Sequence, residues 1–289
     1  MKRKNILTLA AALLIAFGCT ANYSGKPLIG GIRNEKAETT TQAEQGTEHS
    51  TGHSTGHVTG AEGLEIPARM KGTPEQILRR TGYTVSYNRE TRLPNWVAWR
   101  LTASRCKGKA KRQQKEFHED EEVAAPRATD WDYYNSRFDR GHMCPAGDNK
   151  WSEKAMHESF LFTNICPQNP NLNRGDWNEM ENACRRWAKE YGDLYIVCGP
   201  VFYNKRHKTI GKNKVTVPEA FFKVVLCMEG TPKAIGFIYK NAAGNRPKSY
   251  YVNTVDEVER ITGIDFFPKL PDKTEKKVEA KADAAEWGI

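Results

Sequence analysis

Between Phe138 and Glu181 the chain carries three short groups of residues whose types and spacing can do chemistry: Asp139-Arg140-Gly141-His142, then Asn164-Ile165-Cys166-Pro167-Gln168, then Asn173, Trp177 and Glu181. Each alone has an ordinary structural explanation. A histidine near a glycine turn is usually a surface residue, and asparagine-rich loops cap turns. Together they supply the parts for hydrolysing a phosphodiester. That reaction needs a base to take a proton from water, positive charge on the phosphoryl oxygens and stabilisation of the leaving alkoxide. Histidine titrates near neutrality, which suits His142 as the base, and Arg140 offers a fixed fork to phosphate. Magnesium prefers oxygen ligands and keeps most of its water, so one neutral amide such as Asn173 suffices as a direct ligand.

These groups need a helix and a sheet to position them. Trp177, Met180, Cys184, Trp187, Ala188 and Tyr191 recur at helical spacing and Gly192 follows as a cap, which predicts a helix that buries Trp177, Met180 and Cys184. If that helix includes Asn173, its eight-residue step to Glu181 is about 80° of rotation, and both border one site. Gly175 in between leaves that inclusion open. Strands are predicted at Tyr83–Tyr87, Trp96–Trp99, Leu194–Cys198, Phe221–Met228 and Lys233–Tyr239. Strands, one long helix and further strands argue for an α+β domain rather than a regular βαβ winding.

The ordered set with its spacings resembles the endonuclease G-like DNA/RNA non-specific endonucleases of the ββα-metal group. The likeness runs from about Tyr83 to Pro271 and includes Val255-Asp256-Glu257-Val258-Glu259 and Thr262-Gly263-Ile264-Asp265-Phe266-Phe267. It implies a ββα-metal nuclease fold, with a central antiparallel sheet and flanking helices. It also implies His142 as general base, Asn173 as direct metal ligand, Glu181 as the carboxylate reaching metal-bound water, Arg140 as the arginine near the phosphates and Asn164 as a support for the site. Asp139 braces the loop. A further arginine that contacts phosphate precedes a Phe-x-x-Asp in the family. Here Phe117-His118-Glu119-Asp120 matches the latter, and Arg112 takes the role, with Lys111 as its substitute. The implied cofactor is Mg2+, which Mn2+ can replace, and the implied products carry 5′-phosphates and 3′-hydroxyls.

Composition limits the alternatives. The 289 residues hold 44 Lys+Arg against 35 Asp+Glu, a formal +9, with 38% hydrophobic and 27% charged residues. Collagen-like, coiled-coil and multi-spanning membrane classes are thereby excluded. The one long apolar run, 12 residues from Ile6 to Phe17, is too short to cross a bilayer. With Lys2, Arg3 and Lys4 before it and Ala16-Phe17-Gly18-Cys19 at its end, it reads as a lipoprotein signal peptide over 1–18 with lipidation at Cys19; plain secretion is the alternative. Its removal takes three basic residues and leaves +6. Residues 19–75 read as a polar, disordered tether. Its Thr-Gly-His repeats space His49, His53 and His57 four apart, but glycines oppose the helix that a metal site would need. The nuclease-like domain is placed at 76–271, and 272–289 reads as a charged tail, poorly ordered or weakly helical. Six further cysteines, Cys106, Cys144, Cys166, Cys184, Cys198 and Cys227, suggest up to three disulfides in an exported chain, with Cys144–Cys166 and Cys198–Cys227 as trial pairings. No Cys-x-x-Cys or Cys-His cluster offers zinc spacing.

The expected partners are DNA and RNA, held through backbone phosphates with little base specificity, and a membrane through Cys19; a homodimer is left open. The expected location is the bacterial cell envelope. A catalytically silent surface lipoprotein that captures nucleic acid is the competing reading, and an enzyme acting on another phosphodiester or surface polymer is the third.

Overall fold

The computed structural model describes residues 62–113 and 117–289. The signal peptide, Cys19 and the tether histidines His49, His53 and His57 lie outside the described residues. In chain order the elements are β1 (Gln76–Arg79), β2 (Thr84–Asn88), β3 (Leu93–Leu101), α1 (Asp130–Tyr133), β4 (Asp139–His142), α2 (Glu153–Glu158), β5 (Ile165–Gln168), α3 (Pro170–Leu172), α4 (Asn178–Glu190), β6 (Leu194–Val201), β7 (Thr209–Ile210), β8 (Val215–Thr216), β9 (Ala220–Cys227), β10 (Lys233–Lys240), β11 (Val252–Asn253), α5 (Val255–Thr262) and α6 (Asp272–Glu279).

Alternation along the strands builds a core on each face of one antiparallel sheet, ordered β1-β2-β3-β6-β9-β10-β11. Val97, Trp99, Ile196, Phe221 and Val225 point to one face and meet Met180, Cys184 and Trp187 of α4. Trp96, Ala98, Val197, Phe222 and Val224 point to the other and meet Val255 and Val258 of α5 and Val278 of α6. Because successive side chains alternate, a strand covered on both faces is apolar along most of its length, and β6 and β9 are buried at every position, Lys223 of β9 being the one charged residue among them. The α+β reading and all five predicted strands are found, within or overlapping β2, β3, β6, β9 and β10. Trp177 just before α4 and Met180 and Cys184 on it are buried as expected, and the helix gives way to Gly192, whose φ of +101° suits glycine.

The structure corrects four expectations. Asn173 does not lie on the regular helix: Asn173–Trp177 forms a π-helical turn in which Gly175 leaves helical geometry (φ −102°, ψ −111°), so the 80° arithmetic does not apply. The tail is folded rather than loose. It forms α6, then returns Trp287 to the core, where its carbonyl accepts the Trp187 indole N–H at 2.7 Å and the ring is 1% exposed. The tether ends earlier than residue 75, since Leu64 is buried and Ile66 and Met70 pack on the second core.

The cysteine pairings also fail. All six described cysteines are free thiols, five of them buried. Cys198 pairs in register with Lys223 and Cys227 with Leu194, which sets the two cysteines four residues apart along the ladder. That is about 13 Å, where a disulfide needs Cα atoms within about 7 Å. The Cys144 sulfur instead accepts from Asn149 Nδ2 at 3.4 Å. Buried as they are, these thiols serve as small apolar side chains, so their even number carries no information about compartment.

Candidate active site

Strands β4 and β5 form a separate two-stranded ribbon, with Gly141 opposite Cys166 and His142 opposite Ile165. A Cβ at Gly141 would lie 2.2 Å from Gln168 Oε1 and 2.6 Å from Gln168 Cβ, so the ribbon closes only over glycine. Beyond His142 the chain is clamped by Asn164, which is fully buried. Its Oδ1 accepts from Cys144 N at 2.9 Å and its Nδ2 donates to the carbonyls of Cys144 and Ser159, both at 2.8 Å. Each buried group left unpaired costs about 1–3 kcal/mol, so Asn164 acts by holding the loop, not by touching substrate. The indole N–H of Trp177 donates to the His142 carbonyl at 3.2 Å, which fixes the histidine backbone from the helix side.

The His142 ring borders a cleft of about 1150 Å³ together with Arg112, Arg140, Asn173 and Glu181. Structure therefore brings together five of the residues singled out from sequence. Phe160 meets the imidazole edge to face at 4.8 Å and Phe117 lies at 5.4 Å. Nε2 of His142 is buried and has no hydrogen-bond partner. Burial first, and the Arg112 guanidinium second, push its pKa down to about 3, so the ring is neutral and can accept a proton. Arg140 is held over the rings of Phe117 and Tyr133 and ion-paired with Asp130 at 2.6 Å. Lys111 and Arg112 both border the cleft, but it is the charge of Arg112 that reaches both His142 and Glu181, while its guanidinium lies 4.9 Å from the Phe160 ring centroid. Arg112 thus fits the upstream role better than Lys111.

Asn173 donates through Nδ2 to Asp139 at 3.0 Å, and Asp139 is gripped by Nε and Nη2 of Arg174, each at 2.8 Å. Asp139 is thereby tied to the π-helical turn that carries Asn173 and Arg174. With its N–H engaged, the Asn173 amide offers its oxygen, and Glu181 adds a carboxylate across the same cleft. Oxygen donors with room for water fit a hard divalent cation such as Mg2+.

Glu181 lies in an environment that resists its charge. Burial above all, with Asp148 adding to it, pushes its carboxyl up to about 7 against the pull of Lys223, Arg185 and Arg112. An acid whose folded pKa exceeds its unfolded value stabilises the fold fully below the unfolded value of 4.5 and loses that contribution as pH rises to 7. At pH 8 this costs on the order of 3 kcal/mol. Glu181→Gln in EDTA should therefore melt roughly 6–12 °C above wild type at pH 8 and about level with it at pH 4.5, while its cleavage rate falls about 10–100-fold. Parallel melting at both pH values would show that Glu181 is not strained.

Three polar residues missed by the sequence reading complete the electrostatics. Arg185, one turn beyond Glu181 on α4, borders the cleft and ion-pairs with buried Asp148 at 2.8 Å, and Asp148 also accepts from the Trp99 indole at 3.1 Å. Lys223 is 1% exposed in the centre of β9, its ammonium 4.5 Å from the Trp177 ring and 5.1 Å from the Trp99 ring. Burial works against its charge, yet Cys198, Cys184, Glu181 and Asp148 hold its pKa above the usual lysine value. The i, i+4 spacing of Glu181 and Arg185 and a lone lysine inside Phe221-Phe222-Lys223-Val224-Val225 were the available signals.

An antiparallel ribbon ending in His142, followed by a helix that carries Glu181 with Asn173 at its root, defines a ββα-metal nuclease centre. Comparison with known proteins agrees. The model of the family described as DNA/RNA non-specific endonuclease matches residues 65–273. The chain is similar to mitochondrial endonuclease G of Bos taurus (34% identical over 209 residues, 68% of this chain and 70% of the relative) and to nuclease C1 of Cunninghamella echinulata (36% over 216 residues, 69% and 85%). It is also similar to a chain in the crystal structure of the EndoG/EndoGI complex, with a TM-score of 0.65 and 30% identity over 70% of this chain and 91% of that one. The chain belongs to the DNA/RNA non-specific endonuclease family.

Proposed function

We propose that this protein is an exported endonuclease, anchored by lipid at Cys19, that hydrolyses the backbone of both DNA and RNA with Mg2+ and leaves 5′-phosphate ends. The observation that carries the catalytic part is a neutral His142 whose Nε2 is buried without a partner beside Arg112, Arg140, Asn173 and Glu181. His142 Nε2 takes a proton from a water aligned with phosphorus. The new O–P bond forms as the P–O3′ bond breaks, so the phosphate stays on O5′ of one fragment and the departing O3′ takes a proton from solvent to become the 3′-hydroxyl of the other. The negative charge of an arriving phosphodiester favours the imidazolium and so raises the basicity of His142 at the moment it is needed. Arg140 and Arg112 take up charge on the phosphoryl oxygens, and Asn173 and Glu181 would hold the cation, which supplies Lewis-acid stabilisation of that charge and of the leaving oxygen.

Breadth of substrate follows from the cleft. Lys109, Lys111, Arg112, Arg140, Lys150, Arg174 and Arg185 border it against only Asp139 and Glu181, and contacts to phosphate position a nucleic acid without reading its sequence. Binding should weaken steeply with salt. The export reading rests on the basic start, short apolar run and Cys19.

Digestion of supercoiled plasmid and of unstructured RNA by the purified protein, in Mg2+ and in EDTA, tests the activity. Both substrates should be cut in Mg2+ and neither in EDTA, with fragments that a ligase rejoins without prior phosphorylation. Binding without cutting in Mg2+ would instead favour the surface-capture lipoprotein. Mass spectrometry of the cell-purified protein should find a diacylglyceryl-modified N-terminal Cys19, and an unmodified chain overturns the anchor alone.

A further inference from the structure

The face of the sheet opposite α4 carries a group of acids that takes no part in the nuclease site. Asp256 and Glu259 lie three residues apart on one face of α5, and Glu279 is the last residue of α6. One carboxylate oxygen from each lies within 4.8 Å of the other two. Glu279 is only 6% exposed, and its Oε1 is buried with no hydrogen-bond partner. Glu259 uses Oε1 to accept from Phe266 N at 2.7 Å, which leaves Oε2 for another partner.

Among the described residues, the charges that act most strongly on Glu279 include no cation. The groups that act on Glu279 are Glu259, Glu275, Asp256 and Asp265, all carboxylates. Arg260, the arginine of α5, is turned to Glu257 in a two-pronged pair at 2.8 and 2.6 Å, and Lys276 acts on Glu275. A charged group is buried only if it is paired or bound to a metal; otherwise it must take up a proton. Left alone, burial and then its neighbours push Glu279 up to about 9 and burial pushes Glu259 up to about 7.

The ligand chemistry selects the ion. Oxygen donors alone favour a hard cation over zinc or copper. Two Ca–O bonds of 2.3–2.6 Å span up to about 5 Å, whereas Mg–O bonds span only about 4 Å and demand near-ideal octahedral geometry. Calcium's larger and more flexible coordination sphere therefore accommodates three carboxylates from two helices, with Asp256 on the solvent side to admit water, more readily than magnesium does. We propose that Asp256, Glu259 and Glu279 form a calcium site that fastens α6 to α5. Asp256 and Glu259 lie inside the family match and Glu279 beyond residue 273, where it ends, so the third ligand is supplied by the segment that follows the matched region. The core between α5, α6 and the sheet is distinct from the core that packs α4, and calcium there acts on stability rather than on cleavage.

Thermal melting of the EDTA-treated protein at pH 7.5 tests this, with CaCl2 or MgCl2 raised to 1 mM. Wild type should rise by about 5 °C with Ca2+, saturably, and far less with Mg2+. Glu279→Gln should melt above metal-free wild type, because a buried amide need not take up a proton on folding as the carboxyl must, and should lose the Ca2+ shift; Asp256→Asn, an exposed position, should weaken the shift without harming the fold. Asn173→Ala should keep the shift, which separates this site from the nuclease centre. The proposal is overturned if Ca2+ leaves wild type unmoved, if Glu279→Gln retains the shift, or if Asn173→Ala loses it.

Discussion

Replacing His142 with alanine is expected to reduce phosphodiester cleavage by about 10³-fold or more while the protein still folds and binds nucleic acid, since general-base catalysis contributes about 10²–10⁴-fold and no other neutral imidazole borders the cleft among the described residues. The stability effect depends on pH and its sign can be worked out. The His142 pKa is about 3 in the fold against the ordinary value of 6.5. The unfolded chain therefore binds the extra proton first, and wild type loses stability through this group as pH falls from 6.5 toward 3. His142→Ala lacks that loss, so its melting temperature should fall less than that of wild type between pH 7.5 and pH 4.5. Plasmid cleavage assays with matched melts read both effects. Retention of a tenth or more of wild-type activity would sink the assignment.

Asn173→Ala should cost about 10²-fold in rate, with a metal requirement moved to higher concentration, because a direct ligand is lost while the rest of the centre stays in place. The fold should be little affected. Asp139 loses one hydrogen bond, worth about 1 kcal/mol, but remains gripped by Nε and Nη2 of Arg174. A titration of cleavage rate against Mg2+ separates this from a general loss of structure, and an unchanged midpoint would remove Asn173 from the metal site. Metal-free binding of an oligonucleotide should be the same for variant and wild type.

Charge in the centre is distributed so that each residue has the protonation state its place requires. His142 is kept neutral by burial, helped by Arg112. Glu181 is kept from losing its proton easily by burial, yet drawn toward ionisation by Lys223, Arg185 and Arg112. A divalent cation in the cleft adds to that same pull, which couples metal binding to the charge of Glu181. Lys223 stands behind the helix in the apolar core, where its cost is offset by the rings of Trp177 and Trp99 and by the acids that surround it.

The sequence by itself determined whatever neighbouring residues encode together. The alternation in β2 and β3, the apolar runs of β6, β9 and β10 and the helical stripe from Trp177 to Tyr191 are local patterns, and each is found where it was expected. Tertiary structure alone decided the rest, because electrostatics and packing depend on distance through space rather than along the chain. The π-helical turn at Gly175 sets Asn173 off the helix and against Asp139, 34 residues away in sequence. Lys223 from β9, Arg185 and Glu181 from α4, and Asp148 from the loop after β4 meet only when the sheet closes on its helix. The thiols stay unpaired because the register of β6 and β9 separates Cys198 from Cys227. The charged tail folds because Trp287 finds Trp187, 100 residues earlier, and gains more by burying its ring than a solvated tail gains in entropy.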